Sequence, residues 1–135
     1  MRHTDIQETD VKQKCAITDQ TTPAQEMLAR EVLERLSGKW AFYILHVLEE
    51  GDELMRFMRV LEAVEGISQK VLTRMLRQLE ADGFVRRKVF AEVPPRVEYD
   101  LTSLGADLLM QIAPLFVWVL MKTGDFAEAR ATFGS

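Results

Sequence analysis

"GISQKVLTRMLRQLEADGF", residues 66–84, places Lys70, Arg74 and Arg77 on one short segment of a chain whose formal net charge is −4. Ser68 suits the cap of a helix that starts at Gln69 and runs to about Asp82, and Gly83 supplies the left-handed residue that ends it. Successive residues on such a helix are turned by about 100 degrees. Counted from Ser68, the apolar residues Val71, Leu72, Met75, Leu76 and Leu79 fall on an arc centred near about 10 degrees. Gln69, Lys70, Thr73, Arg74, Arg77 and Gln78 centre near about 180 degrees, on the opposite side. One face is made to be buried, and the other presents amide, hydroxyl and guanidinium groups outward.

The segments upstream supply what the apolar face packs on. Residues 1–22 are polar and without periodicity, an expected flexible arm. Thr22 then caps a helix with Pro23 as its first residue, and Met27, Leu28, Val32, Leu33 and Leu36 recur at helical spacing before Ser37 and Gly38 interrupt. Lys39–Glu50 is a more apolar helix, stopped by Gly51. In Arg56–Val64 the residues Phe57, Val60, Leu61 and Val64 follow the i, i+3, i+4, i+7 pattern, and Gly66 breaks it. This third helix, a turn containing Glu65 and Gly66, and the helix quoted above form a helix-turn-helix.

Downstream, "FVRRKVFAEV" and "RVEYDLT" flank Pro94 and Pro95, with Val85, Val89, Val97, Tyr99 and Leu101 at alternating positions. Prolines cannot donate to a ladder, so they belong in the turn of a two-stranded ribbon, a wing. A last helix from Thr102 carries more apolar surface than a small domain covers, which predicts a homodimer. Pro114 inside it should kink or split it. The fold class expected is therefore mainly α with a small β-wing: a winged helix-turn-helix with terminal dimerisation helices. Residues 23–123 form that domain, and 124–135 are a short tail.

Length and composition narrow the function. A chain of 135 residues suits one domain. The longest apolar run, Ile112–Met121, is shorter than the roughly 20 residues of a membrane span, and the N-terminus lacks the apolar core of a secretory signal. The expectation is a cytoplasmic protein with no membrane partner. A lone cysteine, Cys15, and two distant histidines, His3 and His46, make neither an internal disulfide nor a zinc site, so no structural metal and no cofactor are expected. Metalloprotease, dinucleotide-binding and complete phosphate-loop motifs are missing, and no acid and base are paired, so no enzyme is expected.

The charge is unevenly spread. Residues 68–96 hold seven basic side chains (Lys70, Arg74, Arg77, Arg86, Arg87, Lys88 and Arg96) against three acidic ones, a net +4, while the segments on either side are acidic. Such a stripe on an acidic body attracts a polyanion in one orientation. Arg and Lys pair with guanine or phosphate, Gln bridges adenine, and Thr approaches a base edge or the thymine methyl. Residues early in a recognition helix reach furthest into the major groove. Gln69, Lys70, Thr73 and Arg74 are the expected base readers, with Ser68 at their head and Arg77 on backbone phosphate. Arg86, Arg87, Lys88 and Arg96 surround the wing tip, where phosphates or the minor groove lie. Lys39, at the start of the second helix, adds a phosphate contact. Each cation alone fits a solvated surface equally well; it is their joint placement that points to double-stranded DNA.

With these elements in place, residues from about Arg30 to Trp118 resemble the HxlR family of bacterial winged helix-turn-helix transcription regulators. The resemblance is carried by "REVLERLSGKW", "RFMRVLEAVEGISQKVLTRMLRQLEADGFVRR", "EVPPRVEYDLTSLG" and Trp118, in that order. It implies a homodimer on a pseudo-palindromic operator, usually as a repressor and sometimes as an activator. Some members of the family sense electrophiles, oxidants or aldehydes through a cysteine just before the first helix. Here Met27 stands at that position, and Cys15 lies twelve residues earlier, near Lys12 and Lys14, cations that lower a thiol pKa. Cys15 is thus a candidate redox sensor, with an ordinary free thiol as the other reading; sensing predicts that Cys15→Ser abolishes any oxidant effect on operator affinity. Trp40, Phe42, Tyr43 and Trp118 fit either core packing or the lining of a small-molecule effector pocket. A competing function is a winged-helix protein-interaction module that uses the basic face without reading DNA sequence.

Overall fold

The computed structural model describes residues 20–51 and 53–134. The chain divides into two units, residues 1–37 and 38–135. In the first, α1 spans Pro23–Leu36 and is opened by a reciprocal capping box. Thr22 Oγ1 accepts from the Gln25 backbone N–H at 3.1 Å, and Gln25 Oε1 accepts from the Thr22 N–H at 2.9 Å. Two of the donors that every helix start leaves unpaired are satisfied in this way.

The second unit begins with α2, Ala41–Glu50, which buries Ala41, Ile44, Leu45 and Leu48 at i, i+3, i+4, i+7. A two-residue strand β1, Met55–Arg56, leads directly into α3, Phe57–Ala63. Val64 and Ile67 are buried on either side of a turn in which Gly66 adopts φ +88°, a conformation open to glycine at little cost. Next comes α4, Gln69–Ala81, burying Leu72, Met75, Leu76 and Leu79 as the wheel requires. Its end is a full Schellman motif: Gly83, at φ +86°, donates to Glu80 O at 3.0 Å, and Phe84 donates to Leu79 O at 2.9 Å.

The wing is larger than a ribbon. Strands β2, Val85–Phe90, and β3, Arg96–Leu101, pair antiparallel from Val85↔Leu101 to Phe90↔Arg96. On the far edge of β3, β1 adds Met55↔Tyr99 and Arg56↔Glu98, so the sheet has three strands in the order β1-β3-β2 rather than the expected two. Pro94 and Pro95 lie in the turn, outside the ladder, as their missing N–H demands.

Helix α5, Ser103–Met121, starts at a joint with the end of α4. Thr102 Oγ1 accepts from Gly105 N–H at 3.0 Å and donates to Gly83 O at 2.6 Å, while the Thr102 N–H donates to Phe84 O at 3.1 Å. Gly105 is buried here, and a Cβ on it would lie 2.1 Å from Phe84 O. The helix continues through Pro114 and ends at Lys122, so of the kink or split expected at the proline, the split does not occur. A further helix, α6, covers Thr123–Phe133, in the stretch expected to be a plain tail.

By length and composition alone, the 19 residues of α5 would be enough to cross a bilayer, more than the ten-residue apolar run suggests. Its first half is built into the domain, through Gly105 against Phe84 and a buried Leu109, which a membrane span would have to give up. Its second half leaves Leu115, Val117, Trp118, Leu120 and Met121 exposed. The core of the unit therefore lies among α2, α3, α4 and the base of the sheet, and helix-turn-helix plus three-stranded wing make the fold a winged helix-turn-helix.

Candidate nucleic-acid interface

The α4 helix divides into its two faces as the wheel lays out. Gln69, Lys70, Thr73, Arg74 and Arg77 are exposed, opposite the buried leucines and Met75. Among the described residues, no carboxylate lies within ion-pair distance of Lys70, Arg74 or Arg77. Two neighbours have local duties that the wheel alone does not show. Ser68 Oγ accepts from Val71 N–H at 3.1 Å as the helix cap. Thr73 Oγ1 donates its proton to Gln69 O at 2.9 Å, so what it offers outward is a methyl group and an acceptor oxygen, not a donor. Lys39 is exposed ahead of α2, with its ammonium 4.7 Å from the centroid of the Trp40 ring.

The wing cations are arranged differently. The pleat puts Arg86, Lys88 and Phe90 on one face of the sheet with their partners Asp100, Glu98 and Arg96. Arg86 grips Asp100 with two parallel hydrogen bonds, from Nε at 2.9 Å and from Nη2 at 2.6 Å. That hydrogen bond and the adjacent negative charge raise the Arg86 pKa above its ordinary value. Arg96 hydrogen-bonds Glu92 through Nη1, sits 4.0 Å above the Phe90 ring, and holds its Nε 2.7 Å from Glu98 Oε2, a charge contact whose angle is not that of a hydrogen bond. Arg56 joins Glu98 from β1 at 3.7 Å. Only Lys88 on this face is without a carboxylate contact among the described residues; its ammonium lies 5.1 Å from the Phe90 centroid.

Arg87 is on the other face, paired across the strands with Tyr99 and turned toward α4. Its Nε is 3.4 Å from Glu80 Oε1. Tyr99, part-buried beside this pair, has its pKa raised, chiefly by burial and secondarily by Glu80, with Arg87 pulling the other way. The wing cations are visible in the sequence, but these partners are not. Alternation does place Glu98 and Asp100 on one face, but which arginine meets which carboxylate depends on the hairpin register.

The aromatics do not all share one hollow. Phe42 and Tyr43 line a cavity of about 450 Å³ between α2 and α5, with Phe116 4.8 Å from Phe42 between centroids. Trp40 borders a different hollow, and Trp118 packs on Phe126 at 6.1 Å. Within one subunit, no pocket among the described residues is lined by all four aromatics. Cys15 lies outside the described residues.

A sequence profile described as HxlR-like helix-turn-helix matches residues 35–125. The chain is 38% identical over 107 residues to the uncharacterised HTH-type transcriptional regulator YtfH of Escherichia coli K12, covering 79% of this chain and 83% of that one. Among solved structures it is similar to ytfH from Salmonella typhimurium, with a TM-score of 0.68 at 35% identity over 76% of this chain and 90% of that one. It is also similar to the redox regulator HypR in its reduced form, with a TM-score of 0.65 at 32% identity over 74% and 97% of the two chains.

Proposed function

The chain belongs to the HxlR-like helix-turn-helix family of transcriptional regulators, and on that premise we propose that it is a cytoplasmic repressor that binds a pseudo-palindromic operator as a homodimer, without catalytic activity. The observation that carries this reading is the outer face of α4. Three cations without carboxylate partners among the described residues, together with Gln69 and Thr73, stand on an exposed stripe whose reverse is fully engaged in the core. A cation already neutralised by a neighbour gives up that contact when it binds phosphate; these give up only water and counterions. Gln69, Lys70, Thr73 and Arg74, nearest the helix N-terminus, read bases in the major groove. Arg77, Lys39 and, from the wing, Arg87 and Lys88 supply phosphate contacts.

Dimerisation is supported by the outer half of α5, where Leu115, Val117, Trp118, Leu120 and Met121 form an apolar surface that a soluble monomer rarely leaves open. Two copies related by a two-fold axis present two α4 helices to successive major grooves, about 34 to 36 Å apart. Selection of bound fragments from random duplex DNA tests the whole reading. The expected product is an inverted repeat with half-sites about one helical turn apart. Binding to every duplex equally, together with a stable complex with another protein, would replace it with the interaction-module reading.

A further inference from the structure

Between α4 and the wing lies a cavity of about 630 Å³, open to solvent and lined by Thr73, Arg77, Glu80, Ala81, Arg87 and Tyr99. Its charge layout differs from the rest of the wing. Arg86 and Arg96 are fixed on the opposite sheet face by Asp100, Glu92 and Glu98. Among the described residues Arg87 has a single carboxylate contact, an exposed 3.4 Å approach to Glu80 that is not a hydrogen bond, and Arg77 across the crease has none. Such an exposed pair is weak, whereas guanidinium groups bind phosphate oxygens in short, charge-assisted, often two-pronged contacts.

We propose that this crease seats one phosphodiester of the DNA backbone, gripped by Arg77 from the recognition helix and Arg87 from the wing, and that Glu80 is the counter-charge Arg87 exchanges for that phosphate on binding. The proposal rests on the DNA-binding reading above and adds the specific site and its resident carboxylate. Tyr99 lines the same space, and its phenol, protonated at neutral pH, is a donor that a phosphate oxygen entering the crease can accept from. Thr73 contributes shape only, its proton being committed to Gln69 O. The crease also gives α4 and the wing one shared anchor, which fixes the angle at which the helix enters the groove.

The experiment is equilibrium binding of the full-length protein to its selected operator at several salt concentrations, with melting curves confirming that each variant is folded. Arg87→Ala is expected to weaken binding by about tenfold and reduce the salt slope by about one, while Arg86→Ala weakens it by less than about twofold. Arg87→Lys, which keeps the charge and loses the fork, falls between. Glu80→Gln is expected to tighten binding by about threefold, since the exchange then has no competitor. Operators carrying one neutral methylphosphonate at a time locate the seat: at a single position the neutral link removes the penalties of both Arg77→Ala and Arg87→Ala. Equal losses for Arg87→Ala and Arg86→Ala, a weakening by Glu80→Gln, or the lack of any such shared position would overturn the crease in a wild type that still binds its operator. A wild type with no sequence preference would instead remove the reading it rests on.

Discussion

Helix α4 and the wing carry similar numbers of cations, Lys70, Arg74 and Arg77 on one and Arg86, Arg87, Lys88 and Arg96 on the other. Their surroundings differ. The helix cations stand free of carboxylates among the described residues, whereas three of the four in the wing touch an acidic side chain supplied by β3, the wing turn or α4. Basic residues counted along a chain therefore overstate how much of the wing is available to a polyanion. In the wing, much of the charge braces a small three-stranded sheet that has little core of its own. The helix rests on a buried apolar face and needs no such bracing, so its cations remain available for an external ligand.

The sharpest way to break that contrast is at Arg74. Arg74→Ala is expected to cost about 1 to 3 kcal/mol of operator binding and to relax preference at one base pair, read by comparing affinities across operators mutated one position at a time. A uniform loss on every sequence would move Arg74 to the phosphate-binding group. A loss no greater than that of Arg86→Ala would end the contrast altogether.

A second test acts on the joint between the two regions. Phe84 links the end of α4 to β2, and Gly105 of α5 lies so close that a Cβ would meet Phe84 O at 2.1 Å and Phe84 C at 3.0 Å. Backbone cannot swing aside as the end of a long side chain does. Gly105→Ala should therefore destabilise the fold by about 1 to 3 kcal/mol, as overpacking in a tight core does, measured by denaturant unfolding. In the folded fraction, base preference set by α4 should survive while total affinity falls, because wing and helix no longer address the backbone at the same angle. Unchanged stability would show that α5 shifts freely at this point.

Much of α4 is legible from its residues because every signal that sets it is local: Ser68 as cap, the 3.6-residue period, Gly83 as stop. The same holds for α1, where Thr22, Pro23 and Gln25 define the start within four residues. What the sequence does not disclose is set by distant partners. The two-residue strand Met55–Arg56 has no pattern of its own and exists only because β3 offers an edge at Tyr99 and Glu98. The α6 stretch, with no buried residue and little amphipathic character, gives no period to read. The cations of the site are visible as residues, but their counter-ions are fixed by a hairpin register between positions fourteen apart, such as Arg86 and Asp100. Pro94 and Pro95 locate the turn without specifying that register.

The finest expected effect concerns that last pair. Asp100→Asn leaves the shape of the side chain and removes its charge, so Arg86 keeps at most one hydrogen bond, to an uncharged acceptor, in place of a two-pronged ion pair. The guanidinium, already on the exposed face, then becomes one more uncompensated cation on the wing. Affinity for random duplex DNA should rise by about twofold and its salt slope should steepen, while preference among operators stays the same, because Arg86 faces away from the crease and from α4. A small downward shift in Tm should accompany the change, since the sheet loses one of its braces. The paired outcome is what matters: binding gained without specificity is the signature of a carboxylate that holds an arginine back from DNA. If Asp100→Asn weakens binding to all duplexes, the Arg86–Asp100 pair is instead part of the wing's working surface, and the division between a free helix and a neutralised ribbon no longer holds.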